Sequence, residues 1–319
     1  MKKTSVNLIA AVVLLSALAS PAHTQSTSTT PQGKFGPNES WTDNPYYGQR
    51  GTFFADVSGN GKDDAIVVNN DRVTVRRSDG YKFLPNESWT DNPYYGQRGT
   101  YFADVNGDKK ADAIVVNDDK VTVRRSNGSK FLPNESWTDN PYYGQRGIFF
   151  ADVTGDKKAD AIVVNNDKVT VRRSNGYKFL PNESWTDNPY YGQRGTYFAD
   201  VTGDGRADAI VVNDDKVTVR RSDGYKFLPN ESWTDNPYYG QRGTYFADVN
   251  GDKKADAIVV NNDKVTVRLS DGYKFGPNQS WTDNPYYGQR GTYFSDVTGD
   301  KKADAIVVND DRVTVRRSY

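Results

Sequence analysis

Oxygen-bearing side chains recur at a fixed spacing in a short loop of this sequence. In the second of six copies the loop runs from Asp104 to Asp112, with Asp, Asn, Asp and Asp at positions 1, 3, 5 and 9. A backbone carbonyl is available at position 7. Calcium takes about six to eight hard oxygen ligands in a flexible arrangement, and a glycine in the loop lets alternate side chains converge on one point. The spacing therefore predicts a calcium site.

All six copies keep this arrangement of oxygen donors. The predicted calcium ligands are Asp56, Ser58, Asn60, Asp64, Asp104, Asn106, Asp108, Asp112, Asp152, Thr154, Asp156, Asp160, Asp200, Thr202, Asp204, Asp208, Asp248, Asn250, Asp252, Asp256, Asp296, Thr298, Asp300 and Asp304. The first copy has an amide, Asn60, where the others have a carboxylate, so we expect its site to be the weakest.

The alternative for these loops is an ordinary Asp/Gly turn that caps its own backbone. Three carboxylates crowded into one loop repel one another unless a cation neutralises them, which favours a metal. Calcium is favoured over magnesium, because magnesium prefers to retain several waters. We expect Ca²⁺ as the cofactor, one ion per copy and up to six in all.

A second segment, Trp-Thr-Asp-Asn-Pro-Tyr-Tyr-Gly-Gln-Arg, is identical in all six copies. Trp and Tyr rings offer flat apolar faces for a pyranose ring, and Arg offers directional hydrogen bonds to polar groups. The predicted ligand-binding residues are Trp41, Tyr47, Arg50, Trp89, Tyr95, Arg98, Trp137, Tyr143, Arg146, Trp185, Tyr191, Arg194, Trp233, Tyr239, Arg242, Trp281, Tyr287 and Arg290. The alternative is that the aromatic rings pack between structural units while Asp-Asn-Pro forms a turn.

The period of the repeat predicts the elements that position these residues. The six tryptophans lie 48 residues apart, and residues 32–319 hold six copies. Each copy contains four short β-rich segments separated by turns, without helical periodicity, which is typical of a propeller blade. The array opens with a fourth strand and stops after a third, so the N-terminal strand can complete the last blade. We expect an all-β, six-bladed β-propeller over residues 34–319, with four strands per blade.

The N-terminus has a different composition. Lys2 and Lys3 precede an apolar run that is followed by small residues and Pro21, which is the pattern of a secretory signal peptide. The run is shorter than the roughly 20 apolar residues that a transmembrane helix needs. We expect residues 1–22 to be a cleaved signal peptide and residues 23–33 a disordered polar linker. The protein is then secreted and has no membrane span.

Composition excludes several kinds of site. The chain has no cysteine, and its one histidine, His23, precedes the repeats. Thiolate metal sites, histidine-ligated zinc sites and a Ser-His-Asp triad are therefore excluded from the repeat array. Basic and acidic side chains number 41 each, which argues against a nucleic-acid partner. No copy has an insertion that the other copies lack and that could build a catalytic centre, so we do not expect an enzyme.

The stretch Phe-Ala-Asp-Val-Asn-Gly-Asp-Lys-Lys-Ala-Asp-Ala-Ile-Val (residues 102–115) resembles the FG-GAP/VCBS-type repeat. That repeat is found in integrin α-subunit propellers, in secreted bacterial proteins and in a fungal calcium-containing propeller lectin. The resemblance covers the whole repeat array, although family members commonly have seven blades. It implies calcium in each loop and a role in binding glycans or proteins.

Six equivalent surfaces on one ring favour binding over catalysis. We therefore expect a secreted, calcium-loaded, multivalent carbohydrate-binding protein (a lectin) with sites repeated between blades, whose partners are glycans or glycoconjugates. The alternative is a protein-binding adhesion propeller without glycan specificity.

Overall fold

Each repeat folds into one blade of four antiparallel strands. The computed structural model describes residues 34–319, so the predicted signal peptide and linker lie outside the described residues. The 24 strands form six four-stranded sheets, and no helix occurs within residues 34–319. No helix in this part of the chain could therefore cross a membrane. Blades are numbered 1 to 6, from the sheet that begins at Gly51 to the sheet that begins at Gly291.

The four strands of a blade are termed inner, second, third and outer. The inner strands are Gly51–Ala55, Gly99–Ala103, Gly147–Ala151, Gly195–Ala199, Gly243–Ala247 and Gly291–Ser295. The second strands are Asp64–Val68, Asp112–Val116, Asp160–Val164, Asp208–Val212, Asp256–Val260 and Asp304–Val308. The third strands are Val73–Arg76, Val121–Arg124, Val169–Arg172, Val217–Arg220, Val265–Arg268 and Val313–Arg316. The outer strands are Glu87–Ser88, Glu135–Ser136, Glu183–Ser184, Glu231–Ser232, Gln279–Ser280 and, for blade 6, Glu39–Ser40.

The second strand is the most buried element of the blade. Its sequence is Asp-Ala-Ile-Val-Val in every copy, and all five residues are buried. In blade 2, Ile114 lies opposite Tyr101 of the inner strand and opposite Val123 of the third strand. A continuous run of β-branched residues suits a strand whose two faces are both covered by protein.

The N-terminal strand closes the ring, as predicted. Glu39 and Ser40 pair with Val315 and Thr314 in the third strand of blade 6. The inner strands of adjacent blades are neighbours all the way around, including those of blades 6 and 1. The prediction of a six-bladed propeller with a completed last blade is confirmed.

The apolar cores lie between adjacent blades. One core joins Val75 of blade 1 to Val115 of blade 2 and includes Trp89 and Phe131. The rings of Trp89 and Phe131 meet edge to face, with centroids 5.1 Å apart. Aromatic pairs prefer this geometry, and each such pair adds about 0.5–1.5 kcal/mol to the stabilisation from burial. Each blade is therefore stabilised by its neighbours.

The ring has two faces, which differ in their loops. We call the face on which the inner strands begin the rim face and the face on which they end the loop face. The Asp loops and the hairpin tips between third and outer strands lie on the loop face. On the loop face the N–H of Ala111 donates to the carbonyl of Asp56 at 2.7 Å, and Ser126 Oγ donates to the carbonyl of Val57 at 2.6 Å. Equivalent serine hydrogen bonds join each of the five remaining pairs of adjacent blades. The Asp loops are thus linked into a continuous hydrogen-bonded belt.

Candidate functional site

The first aspartate of each loop accepts hydrogen bonds from its own backbone. In blade 2 the Asp104 carboxylate accepts the N–H of Gly107 at 2.7 Å and the N–H of Lys109 at 2.8 Å. Gly107 and Lys109 have φ of 83° and 67°, and this left-handed backbone turns both N–H groups toward the carboxylate. The first aspartates of the other blades make equivalent bonds. Each loop is therefore a turn wrapped around one carboxylate.

The aspartate at position 9 is buried beneath this turn. Asp112 is 0% exposed and accepts the N–H of Ser126 at 2.8 Å and the N–H of Val105 at 3.3 Å. Burial raises the pKa of Asp112 well above its usual range, and the nearby carboxylates act in the same direction. In blade 3, burial raises the pKa of Asp160 to about 8. A cation in the loop would stabilise the charged form of these acids.

The other two donors of the loop have partners of their own. Asn106 Oδ1 accepts the N–H of Asp108 at 2.8 Å, and the Asp108 carboxylate pairs with Lys110 Nζ at 3.0 Å. Within residues 34–319 no group of three acidic side chains is gathered closely enough to hold a metal ion together. The donor types are hard oxygens that fit calcium, but this conformation is the backbone-capped turn. Calcium binding by the loops stays a prediction.

The loop of blade 1 uses its amide structurally. Asn60 Oδ1 accepts the N–H of Lys62 at 2.8 Å, and Asn60 Nδ2 donates to the carbonyl of Ser78 at 3.1 Å. The amide thereby ties the loop to the hairpin tip of the same blade. The expectation that blade 1 has the weakest calcium site stays a prediction.

The tryptophans lie in the cores between blades. Trp41, Trp89, Trp137, Trp185, Trp233 and Trp281 are each at most 1% exposed. The indole N–H of Trp89 donates to Glu87 at 3.2 Å. A ring enclosed in this way has no face on which a sugar can stack. The prediction that these six residues bind ligand is therefore wrong, and the packing alternative describes them.

The predicted tyrosines and arginines come together on the rim face, between adjacent blades. The Arg98 guanidinium lies over the ring of Tyr143, with Cζ 4.5 Å from the ring centroid. The other pairs are Arg50–Tyr95 (4.3 Å), Arg146–Tyr191 (4.2 Å), Arg194–Tyr239 (4.4 Å), Arg242–Tyr287 (4.4 Å) and Arg290–Tyr47 (4.4 Å). The arginines are exposed and the tyrosines partly exposed. Each pair combines two neighbouring copies of the segment, which the sequence did not reveal.

The turn between second and third strands completes each cluster. In blade 2, Arg98 Nε donates to Asp118 Oδ1 at 2.5 Å. The N–H of Gln97 donates to Asn117 Oδ1, and the N–H of Asp118 donates to Gln97 Oε1, both at 3.2 Å. We call this set, together with Tyr143, the rim cluster of blade 2, and its equivalents the rim clusters of the other blades. The turn residues carry no sequence signal of a binding site, because Asn and Asp are ordinary in turns.

A further aromatic set on the loop face was also missed. Tyr81, Tyr177, Tyr225, Tyr273 and Tyr319, the tip tyrosines, are 62–74% exposed. The first four follow the glycine of a hairpin tip, where blade 2 has Ser129, and Tyr319 directly follows Ser318 in blade 6. Repeated exposed rings on one face are a feature of interaction surfaces. The sequence signal was a tyrosine directly after the glycine of four hairpin tips.

Fold and site together define a closed β-propeller that presents equivalent rim clusters from six blades. The chain belongs to the FG-GAP-like repeat family, whose repeats match residues 56–115, 104–163, 152–211 and 200–259. No curated protein matches the chain by sequence.

Solved structures share this fold. One is that of an Agrocybe aegerita lectin, described for its specific recognition of non-reducing terminal N-acetylglucosamine. It is 25% identical with a TM-score of 0.61, and the match covers 80% of this chain and 73% of the lectin. The Photorhabdus luminescens Tc holotoxin pore is 17% identical with a TM-score of 0.62, over 84% of this chain and 14% of that one. A PQQ-bound aldose sugar dehydrogenase from Streptomyces coelicolor is 11% identical with a TM-score of 0.53, and the match covers 90% of this chain and 98% of the dehydrogenase. The last two likenesses concern the fold alone.

Proposed function

We propose that this protein is a secreted, calcium-loaded lectin that binds glycans at rim clusters repeated between its blades. The observation that carries the proposal is the six-fold repetition of a partly exposed tyrosine beside an exposed arginine. The likeness to a lectin propeller at 25% identity supports the carbohydrate class. Export depends on the expected signal peptide.

The rim cluster offers the groups that a sugar needs. The ring edge of Tyr143 supplies apolar surface, and Gln97, Arg98 and Asn117 supply donors and acceptors to hydroxyl groups. Its arginine and glutamine are exposed, so we expect each site to bind weakly by itself. Six sites on one rigid ring raise the apparent affinity for a branched or repeated glycan, because later contacts become intramolecular.

Calcium has a structural role in this proposal. Asp104, Asn106, Asp108 and Asp112 would hold the ion in blade 2, and the ion would neutralise their crowded carboxylates. Ser126 links this region to its neighbours, since its N–H donates to Asp112 and its hydroxyl donates to the carbonyl of Val57 in blade 1. Because the belt joins all blades, ordering of the loops stiffens the ring that carries the rim clusters.

The tip tyrosines favour a second candidate, a protein-binding propeller. Large exposed rings such as Tyr177, 74% exposed, are enriched where proteins associate. These rings lie on the loop face, and the rim clusters lie on the opposite face. The two candidates can therefore be tested separately.

A glycan array with two multi-site variants separates the candidates. The rim variant carries glutamine in place of Arg50, Arg98, Arg146, Arg194, Arg242 and Arg290. The matched control carries serine in place of the five tip tyrosines; for four of them, blade 2 already has this residue as Ser129. We expect selective glycan binding by the wild type and the control, and its loss in the folded rim variant. Loss in the control alone, or a blank array with folded wild type, would refute the rim proposal.

A further inference from the structure

The rim clusters are of two chemical kinds that alternate around the ring. The residue that accepts the arginine Nε–H is an amide in blades 1, 3 and 5 and a carboxylate in blades 2, 4 and 6. The amides are Asn70, Asn166 and Asn262, and the carboxylates are Asp118, Asp214 and Asp310. The alternation gives the rim face a three-fold pattern of charge on a six-fold fold.

The hydrogen-bond geometry is the same in both kinds of cluster. Arg50 Nε lies 2.6 Å from Asn70 Oδ1, and Arg98 Nε lies 2.5 Å from Asp118 Oδ1. The pairing with Asp118 raises the pKa of Arg98, and the Asp pairs in blades 4 and 6 have the same effect. The geometry is thus kept while the charge changes. An Arg–Asp cluster sums to zero, and an Arg–Asn cluster keeps a full positive charge.

Neighbouring charges do not remove this difference. The next residue of the turn is an aspartate in every blade, and in blade 1 Asp71 pairs with Arg72 at 2.8 Å. In blade 2, Asp119 and Lys120 form the equivalent pair at 3.8 Å. The segment that supplies Arg and Tyr is identical in all copies. Adjacent clusters therefore differ by one unit of charge, and the site of that difference is the Asn/Asp position.

The arginine of an Asn cluster is also oriented. Arg50 lies 4.3 Å from the ring centroid of Tyr95, and its Nη2 reaches Tyr95 Oη at 3.5 Å. Within residues 34–319 its side chain donates to protein through Nε and Nη2, which leaves Nη1 free, and the side chain is exposed. A planar guanidinium held by stacking and by one fixed hydrogen bond presents its remaining N–H groups to a carboxylate with little loss of freedom.

We propose that the three Asn clusters bind an acidic sugar through its carboxylate, whereas the three Asp clusters accept only neutral sugars. The proposal rests on the proposed carbohydrate binding at the rim clusters. It predicts a ring with two interleaved specificities. The ligand it fits is a glycan that contains both uronic acid and neutral residues, because such a chain can engage adjacent clusters of both kinds.

Equilibrium dialysis with two labelled sugars tests the proposal: glucuronic acid as the acidic probe and N-acetylglucosamine as the neutral probe, both at low salt. The wild type should bind glucuronic acid at three sites per molecule, since three clusters have Asn. Changing Asp118, Asp214 and Asp310 to Asn should raise this number to six. The reverse change of Asn70, Asn166 and Asn262 to Asp should lower this number to zero, because no cluster then keeps a net positive charge. N-acetylglucosamine binding should remain in both variants. Both variants should fold, because each residue already occupies the position in neighbouring blades.

Two failures are distinguishable. If N-acetylglucosamine binds and glucuronic acid binding is the same in both variants, the charge proposal is refuted and carbohydrate binding stands. If the folded wild type binds neither sugar, nor any glycan on the array, both the proposed function and the charge proposal are refuted. Loss of glucuronic acid binding at about 0.5 M salt with N-acetylglucosamine binding unchanged would support the charge proposal.

Discussion

Replacing Trp89 with alanine separates packing from ligand binding. Trp89 is 1% exposed, its ring centroid lies 5.1 Å from that of Phe131, and its N–H donates to Glu87 at 3.2 Å. Removing a core indole costs about 3–5 kcal/mol through lost transfer energy and the cavity left behind. We therefore expect Trp89→Ala to lower the free energy of unfolding by about this amount. The matched control, Tyr81→Ala at a side chain 71% exposed, should change it by about 0.5 kcal/mol or less.

The assay has two parts. Urea unfolding followed by circular dichroism gives the stability of each variant, and equilibrium dialysis gives the number of sugars bound per folded molecule. Because the rim clusters do not contain Trp89, that number should stay at its wild-type value. The packing assignment would be refuted if the Trp89→Ala protein were as stable as the wild type and bound one sugar fewer. The tryptophans would then be sugar-binding residues.

Three further predictions follow from the loops and the blade junctions. Calcium should raise the melting temperature and a chelator should lower it, as read by scanning calorimetry; identical melting curves would contradict the calcium assignment. Asp63 and Ser295 replace alanine only where blade 1 meets blade 6, and the Ser295 hydroxyl donates to the Asp63 carboxylate. Ser295→Ala alone should lower the free energy of unfolding by about 1–3 kcal/mol, because it removes the donor, and adding Asp63→Ala should restore stability. If the losses of stability from the two substitutions add instead, the two residues are not coupled. Blade 5 has Leu269 and Gln279 where each other blade has a partly exposed ion pair, such as Arg125–Glu135 at 2.7 Å in blade 2. Gln279→Glu alone should therefore change the urea midpoint little, and adding Leu269→Arg should raise the free energy of unfolding by at most about 1 kcal/mol. A larger rise would mean that the pair is shielded from solvent.

The blade architecture could be predicted because it depends on local patterns. The 48-residue period, the apolar Asp-Ala-Ile-Val-Val segment and the split last blade define strands and ring closure without knowledge of tertiary contacts. Whether each aromatic ring is buried or exposed could not be predicted in the same way. Tyr94 is 6% exposed while its neighbour Tyr95 is partly exposed. Which ring turns inward depends on how the next blade packs against the segment.

The rim clusters illustrate the same limit. Sequence spacing groups Tyr95 with Arg98, but in the ring Arg98 stacks on Tyr143 and Arg50 stacks on Tyr95. A contact between adjacent copies has no signature in a single repeat. The Asp loops show another limit, since spacing identifies the oxygen donors of Asp104 and Asp112 but not whether backbone N–H groups or a cation satisfy them.

Glycan binding at the rim clusters between blades can be observed in a crystal structure of the calcium-loaded protein soaked with N-acetylglucosamine. We expect sugar density against Tyr95 and its equivalents on the rim face, beside the stacked arginine. Sugar density on the loop face against the tip tyrosines, with empty rim clusters at saturating sugar, would contradict it.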